Sequence, residues 1–168
     1  MNLKNIFYPE SRFGGFSDID GIIASYSRYA IVQPSSIVLD VGCGRGAHST
    51  DDIIFRKDLR VLKGKCKKVI GIDVDPAAQA NQFIDEFYLI ESNRWPLADE
   101  SVDVCICNSV LEHIEDPDLF FSGCRRVIRV GGYLCLTTSN ILSYLGVLSK
   151  IIPNKYHSQT LKKVQPKR

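Results

Sequence analysis

Val38-Leu39-Asp40-Val41-Gly42-Cys43-Gly44-Arg45-Gly46 is the stretch on which the fold turns. A short β-branched run, Ser36 to Val41, stops at Gly42. Glycines follow at alternate positions, and a helical pattern starts at His48. Glycine permits a sharp turn and removes the Cβ, so a ligand can pack directly on backbone. A strand running through such a loop into a helix places that ligand at the carboxyl end of the strand, at the switch point of a doubly wound sheet. A nicotinamide site carries Gly-x-Gly-x-x-Gly, and a phosphate loop carries Gly-Lys-Ser/Thr. Here the spacing is Gly-x-Gly-x-Gly, preceded by Asp40. An anion beside Asp40 is disfavoured, whereas an ammonium or sulfonium is attracted.

Working outward, strands alternate with helices. Further strands are expected at Lys68 to Asp73, Glu86 to Ile90, Ser101 to Cys107, and Tyr133 to Thr138, the last launched by Gly131-Gly132. Their near-continuous apolar character marks strands buried on both faces, hence parallel. Helices are expected from His48 to about Leu62, Pro76 to about Asp85, and Asp118 to Arg129. Asp75-Pro76 and Asp116-Pro117 each read as an N-cap with proline at the first helical position. The whole implies an α/β, doubly wound, mainly parallel sheet. Residues 1–35 read as a lead-in with one helix at Gly21 to Ala30, 36–140 as the ligand-binding core, and 141–168 as an apolar helix with a polar tail.

Composition bounds the partners. The 168 residues are 45% hydrophobic and 24% charged, which excludes a disordered tail or a charged coiled coil. The net charge of +2 gives no field that calls for nucleic acid. Arg56, Lys57, Arg60, Lys63, Lys65, Lys67 and Lys68 crowd one segment, but no aromatic residues interleave for base stacking. The cluster reads either as a solvated face or as an RNA-contacting patch. No apolar run approaches the ~18 residues of a membrane span. Met1 to Glu10 lack a signal-peptide core, so a cytoplasmic location is expected. The 6 cysteines form no Cys-x-x-Cys pair, and the 3 histidines fall at no zinc-ligand spacing. Buried, reduced cysteines and no metal are expected.

Acidic residues follow the strands. Asp73 ends the second strand, where an acid can accept hydrogen bonds from both hydroxyls of a ribose. The alternative, a helix N-cap, suits Asp75 better. Glu91 follows the third strand and reads either as a contact to an adenine amino group or as a solvated loop acid.

Three further stretches complete a pattern. They are Trp95-Pro96-Leu97-Ala98-Asp99-Glu100-Ser101-Val102-Asp103, Asn108-Ser109-Val110-Leu111-Glu112-His113-Ile114-Glu115-Asp116-Pro117, and Arg125-Arg126-Val127-Ile128-Arg129-Val130-Gly131-Gly132-Tyr133. With the glycine loop and Ile70-Gly71-Ile72-Asp73, residues 36–140 resemble the class I S-adenosylmethionine-dependent methyltransferases, in the small-molecule branch that includes the ubiquinone and menaquinone biosynthesis enzymes. The resemblance implies a Rossmann-like sheet in the order 3-2-1-4-5, S-adenosylmethionine as cofactor and a small-molecule acceptor. Gly42, Gly44 and Gly46 would let the cofactor approach backbone, and Asp40 would orient that loop. Asp73 would hold the ribose, with Val74 flanking the adenine. Glu91 stands where the family has Asp, with Ser92 and Asn93 as neighbouring polar contacts. The carbonyl of Asn108 would meet the methionine ammonium.

Methyl transfer from a sulfonium is an in-line displacement in which alignment does much of the work. An oxygen nucleophile also needs a base. His113 is the residue placed for that role; its alternative is a scaffold histidine in the Leu-Glu-His-Ile turn. Glu112 reads as a solvated or capping acid. The Asn-Pro-Pro-Tyr signature of enzymes that methylate adenine or glutamine is absent after the fourth strand. The family sheet ends in a β-hairpin beyond the fifth strand, and no such strands are legible after Thr138. The fifth strand is therefore expected as an edge, covered by the last helix, a partner chain or a second copy. A rival reading is a truncated module that binds cofactor without turnover. The helix Ile141 to Ile152 either covers the substrate pocket, joins the core, or touches a membrane or partner.

Overall fold

The computed structural model describes residues 30–46 and 54–138. Five strands form one parallel sheet: β1 (Ile37–Val41), β2 (Lys68–Asp73), β3 (Glu86–Leu89), β4 (Val102–Asn108) and β5 (Ile128–Thr137). Their order is β3-β2-β1-β4-β5, the order the family resemblance implies. The helices are α1 (Ile54–Arg60) and α2 (Pro117–Val127). The expected helices at 21–30 and 141–152, residues 47–53, and the region after Thr138 lie outside the described residues. Among the described residues, β3 and β5 are the outer strands.

Side-chain alternation along β1 separates two cores. Leu39 and Val41 face one side with Ile70, Ile72, Cys105 and Cys107, where α2 adds Phe120, Cys124 and Val127. Val38 faces the other with Val69, Val104, Ile106, Leu62, Ala78 and Ile84. Burial on both faces explains why these strands read as unbroken apolar runs.

Local chemistry sets the ends of α2. Asp116 accepts the Leu119 N–H at 2.9 Å, and Pro117 occupies the first turn. Phe120, Cys124 and Val127 then recur at i, i+4 and i+7 to form its buried stripe. Phe120 meets Trp95 edge-on at 5.7 Å. Arg126 holds Trp95 in place by donating to Trp95 O at 2.9 Å and Leu97 O at 2.6 Å, while pairing with Asp99 at 2.7 Å.

Two elements differ from expectation. The segment after Pro76 is a single 3₁₀ turn, Pro76–Ala80, and not a helix to Asp85. Asn81 leaves the turn in an extended conformation. Asp85 is already committed to β2, with its N–H on Val69 O at 2.7 Å and its carboxylate on the Val69 N–H at 2.8 Å. Strand β5 starts at Ile128 rather than Tyr133, directly from α2. Ile128 pairs with Val102, and the register shifts before Tyr133 pairs with Val104. Gly131-Gly132 therefore lies within the irregular start of the strand.

All six cysteines are free thiols; Cys66 and Cys135 are half-buried and the others buried. Among the described residues no helix is long and apolar enough to cross a membrane, and no cluster of residues could hold a metal ion.

Gly71 in β2 is a close-approach position. A Cβ there would lie 2.7 Å from Cys43 Sγ and 2.8 Å from Ile84 Cδ1. We expect Gly71→Ala to lower stability by about 1–3 kcal/mol, the usual cost of overpacking. Urea unfolding checks this, and an unchanged midpoint would contradict the packing described.

Candidate functional site

The carboxyl ends of β1, β2 and β4 converge on one edge of the sheet, and the glycine loop lies across them. Gly42 N–H donates to Ile72 O at 2.8 Å and Cys43 N–H to the same carbonyl at 3.3 Å. The loop is thus fastened to the end of β2. Asp73 completes the fastening: Oδ2 accepts the Gly44 N–H at 2.9 Å, and Oδ1 accepts the Asp75 N–H at 2.9 Å. These bonds orient the carboxylate and leave each oxygen a second lone pair.

An open cleft of about 730 Å³ adjoins this arrangement. Of the sequence-predicted residues, Gly42, Asp73, Val74, Ser92, Asn108 and His113 line it. Asp40, Gly44, Gly46 and Glu91 do not. Asp40 lies on the far face of the sheet, on the same side as Val38. It borders a small cavity of about 30 Å³ with Arg60, Asn81 and Asn108. Period-2 alternation along β1 requires this: with Val41 on the cleft side, Asp40 is on the other. Glu91 is an exposed loop residue. Val74 is 73% exposed at the mouth.

Asp75 acts as the N-cap of the 3₁₀ turn, accepting the Ala77 N–H at 2.9 Å. Its other oxygen pairs with Arg45 at 2.8 Å. The Ala77 N–H and then the Arg45 guanidinium hold its carboxyl below the usual range. The Cys43 thiol, inside the loop, is pushed up to about 12, first by burial and then by the charges of Asp40 and Asp73. It stays protonated and unreactive at neutral pH.

Strand β4 delivers the opposite wall. Ser109 adopts a left-handed backbone at φ 52°, uncommon for a residue with a Cβ. Its N–H donates to Thr137 O at 2.7 Å. The turn brings Val110 onto Gly42, where a Cβ would lie 2.3 Å from Val110 Cγ2. His113 is exposed in the 3₁₀ turn Leu111–His113, and its N–H donates to Val110 O at 2.8 Å. Glu112, also exposed, accepts the Thr138 hydroxyl at 3.0 Å. Sequence reading missed Ser109 and Val110 as site residues because nothing in their identity signals a left-handed turn. Trp95, Ile114, Leu119 and Phe120, which form an apolar end, were also missed. Their apolar character signals core as readily as cleft.

The charge of the cleft is one-sided. Asp73, Glu115 and Asp116 line it, and no Lys or Arg does among the described residues. The basic segment lies elsewhere, and much of it is paired: Lys68 with Glu86 at 2.6 Å, Lys65 with Asp58 at 2.8 Å, and Lys63 with Asp85 at 3.8 Å.

A parallel sheet in this order, with a glycine loop and an acid-lined cleft at its switch point, defines a Rossmann-like ligand-binding domain. The chain belongs to the methyltransferase domain family, whose profile matches residues 39–136. A Mycolicibacterium smegmatis protein named "Probable S-adenosylmethionine-dependent methyltransferase" is 32% identical over 123 residues, covering 71% of this chain and 44% of its own length. The ubiquinone biosynthesis O-methyltransferase of Agrobacterium fabrum is 32% identical over 104 residues, covering 61% of this chain and 40% of its own. The chain thus spans less than half the length of these relatives. A solved SAM-dependent methyltransferase from Thermotoga maritima shares the fold, with a TM-score of 0.54, 18% identity, and coverage of 83% of this chain and 58% of that one.

The contact between Gly42 and Val110 generates a double-mutant test. Gly42→Ala should cost about 1–3 kcal/mol from overpacking, plus about 1–2 kcal/mol because φ is positive. Val110→Ala, added to it, should recover the overpacking part. Urea titrations of the four chains check the coupling. Strict additivity would show that the two side chains do not meet.

Proposed function

We propose that this chain binds S-adenosylmethionine in the cleft and transfers its methyl group to a small-molecule acceptor. The observation that carries the reading is the cleft's charge, with Asp73, Glu115 and Asp116 on its walls and no cation among the described residues lining it. A unit positive charge about 4 Å from one carboxylate gains ~4 kcal/mol at an effective dielectric of 20. A dinucleotide pyrophosphate would lose as much. The cleft therefore fits a cationic cofactor and disfavours a nicotinamide dinucleotide. Family membership and the names of the relatives support the same cofactor.

Bound S-adenosylmethionine supplies a methyl group on a positive sulfur; the S–CH₃ bond breaks with its electron pair left on sulfur as the acceptor–CH₃ bond forms. The chain's own residues bind and align. Asp73, already oriented by Gly44 and Asp75, accepts the ribose hydroxyls with its free lone pairs. Val74 and Ile90 offer apolar surface to the adenine. Ser92 and Asn93, rather than the outward Glu91, offer its polar contacts. Gly42 lets the cofactor approach backbone, and the Asn108 carbonyl accepts the methionine ammonium. Asp40 acts from the far face, through the loop and the cavity it shares with Asn108. His113 accepts the acceptor's proton where the nucleophile is a hydroxyl. The ubiquinone biosynthesis relative, an O-methyltransferase by name, supports a small oxygen acceptor. The free thiols support a cytoplasmic setting.

Calorimetric titration with S-adenosylhomocysteine tests the reading. The native chain should bind, and Asp73→Ala should weaken binding about tenfold or more, because a hydrogen bond to a charged group is worth about 1.5–3 kcal/mol. A folded native chain with no affinity would overturn the assignment. His113 is tested by turnover on a panel of phenolic and carboxylic acceptors. His113→Ala should lower kcat about 10²–10⁴-fold with affinity for S-adenosylhomocysteine retained. An unchanged kcat would make His113 part of the scaffold.

A further inference from the structure

Asn81 is one of two buried polar side chains in the described structure, with 6% of its surface exposed. It sits where the 3₁₀ turn after β2 ends, and its own N–H donates to Ala78 O at 3.0 Å. Its amide spends every group on backbone. Nδ2 donates to Cys43 O at 2.9 Å and to Gly44 O at 3.2 Å, and Oδ1 accepts the Phe83 N–H at 2.9 Å. The partners fix the orientation of the amide, since two carbonyls can only face the nitrogen and an N–H can only face the oxygen.

Both carbonyls belong to the glycine loop. Asn81 borders the small cavity on the far face of the sheet and does not line the cleft. It therefore draws these carbonyls to the side away from the ligand. Gly44 is held twice, by Asn81 through its carbonyl and by Asp73 through its N–H. Gly46 packs on the same amide, where a Cβ would lie 2.8 Å from Asn81 Oδ1.

We infer that Asn81 is a positioning residue for the cofactor site, acting through Gly44 on Asp73. The inference rests on the proposed S-adenosylmethionine site. With the amide removed, two buried loop carbonyls lose their donor and the Gly44 peptide is free to turn. Asp73 then loses the N–H that orients it.

The test uses the full chain and three variants. Asn81→Asp keeps the size of the side chain and removes both donors. Asn81→Ala removes the group altogether. Ile84→Ala, a buried apolar neighbour in the same core, serves as a destabilised control. Two readouts are taken: affinity for S-adenosylhomocysteine by calorimetry, and amide hydrogen exchange at Cys43 and Gly44 without ligand. Slow exchange is expected in the native chain. Exchange should quicken, and affinity fall about tenfold or more, in both Asn81 variants and not in Ile84→Ala. Native-like affinity and exchange in a folded Asn81 variant would overturn the inference. So would fast exchange at both amides in the native chain, or unfolding of both Asn81 variants while Ile84→Ala folds. A native chain without affinity would sink the cofactor reading instead, and the exchange data would still decide the role of Asn81.

Discussion

The hydrogen bond from the Gly44 N–H to Asp73 Oδ2, 2.9 Å long, joins the ends of the two strands on which the site is built. A loop with three glycines would otherwise be loose, since glycine restricts its own backbone least. Here each turn of the loop is tied to something rigid. Gly42 and Cys43 both bond to the Ile72 carbonyl of β2, Gly44 to the carboxylate of Asp73, and the two carbonyls at 43 and 44 to Asn81. The freedom that glycine brings is used for shape and is then removed by hydrogen bonds. A ligand meeting such a loop has little ordering left to do.

The strands were legible because a parallel sheet buried on both faces leaves a continuous apolar signature, and β2 matches its expected bounds residue for residue. The alternation of elements implied a doubly wound sheet, and the strand order came only with the family resemblance. Propensity failed where tertiary bonds overrode it. Pro76 and its N-cap promised a helix, but Asn81 and Asp85 are drawn to the glycine loop and to β2. The start of β5 was hidden because Ile128-Arg129 continues the helical pattern of α2. Arg129 instead pairs with Asp103 of β4 at 2.9 Å.

The site was legible to the same extent. Gly42, Asp73, Val74, Ser92, Asn108 and His113 line one cleft; glycine spacing and a strand-end acid pointed to the first two, position after the fourth strand to His113, and the family resemblance to the rest. The far-face position of Asp40 was also readable, from alternation alone: Val38 and Asp40 lie on one face, Leu39 and Val41 on the other. Ser109 and Asn81 were not readable. A serine in a left-handed turn and an asparagine donating to backbone 38 residues away look like any loop residues until the fold brings them home.

Strand β1 carries a consequence for how the chain comes into being. Its inner neighbours are far apart in sequence: Ile37 pairs with Lys68, but Val38 also pairs with Val104. One edge of β1 can be satisfied early, while the other waits for 66 more residues to be made (104 − 38). At about 5–20 residues per second, roughly 3–13 s pass after Val38 is made before its partner in β4 exists, and until then that row of backbone N–H and C=O groups cannot pair within the sheet. That interval is a demand the topology places on the growing chain, separate from the stability of the finished sheet. Its weight falls on Val38 to Val41, the same residues that end in the glycine loop.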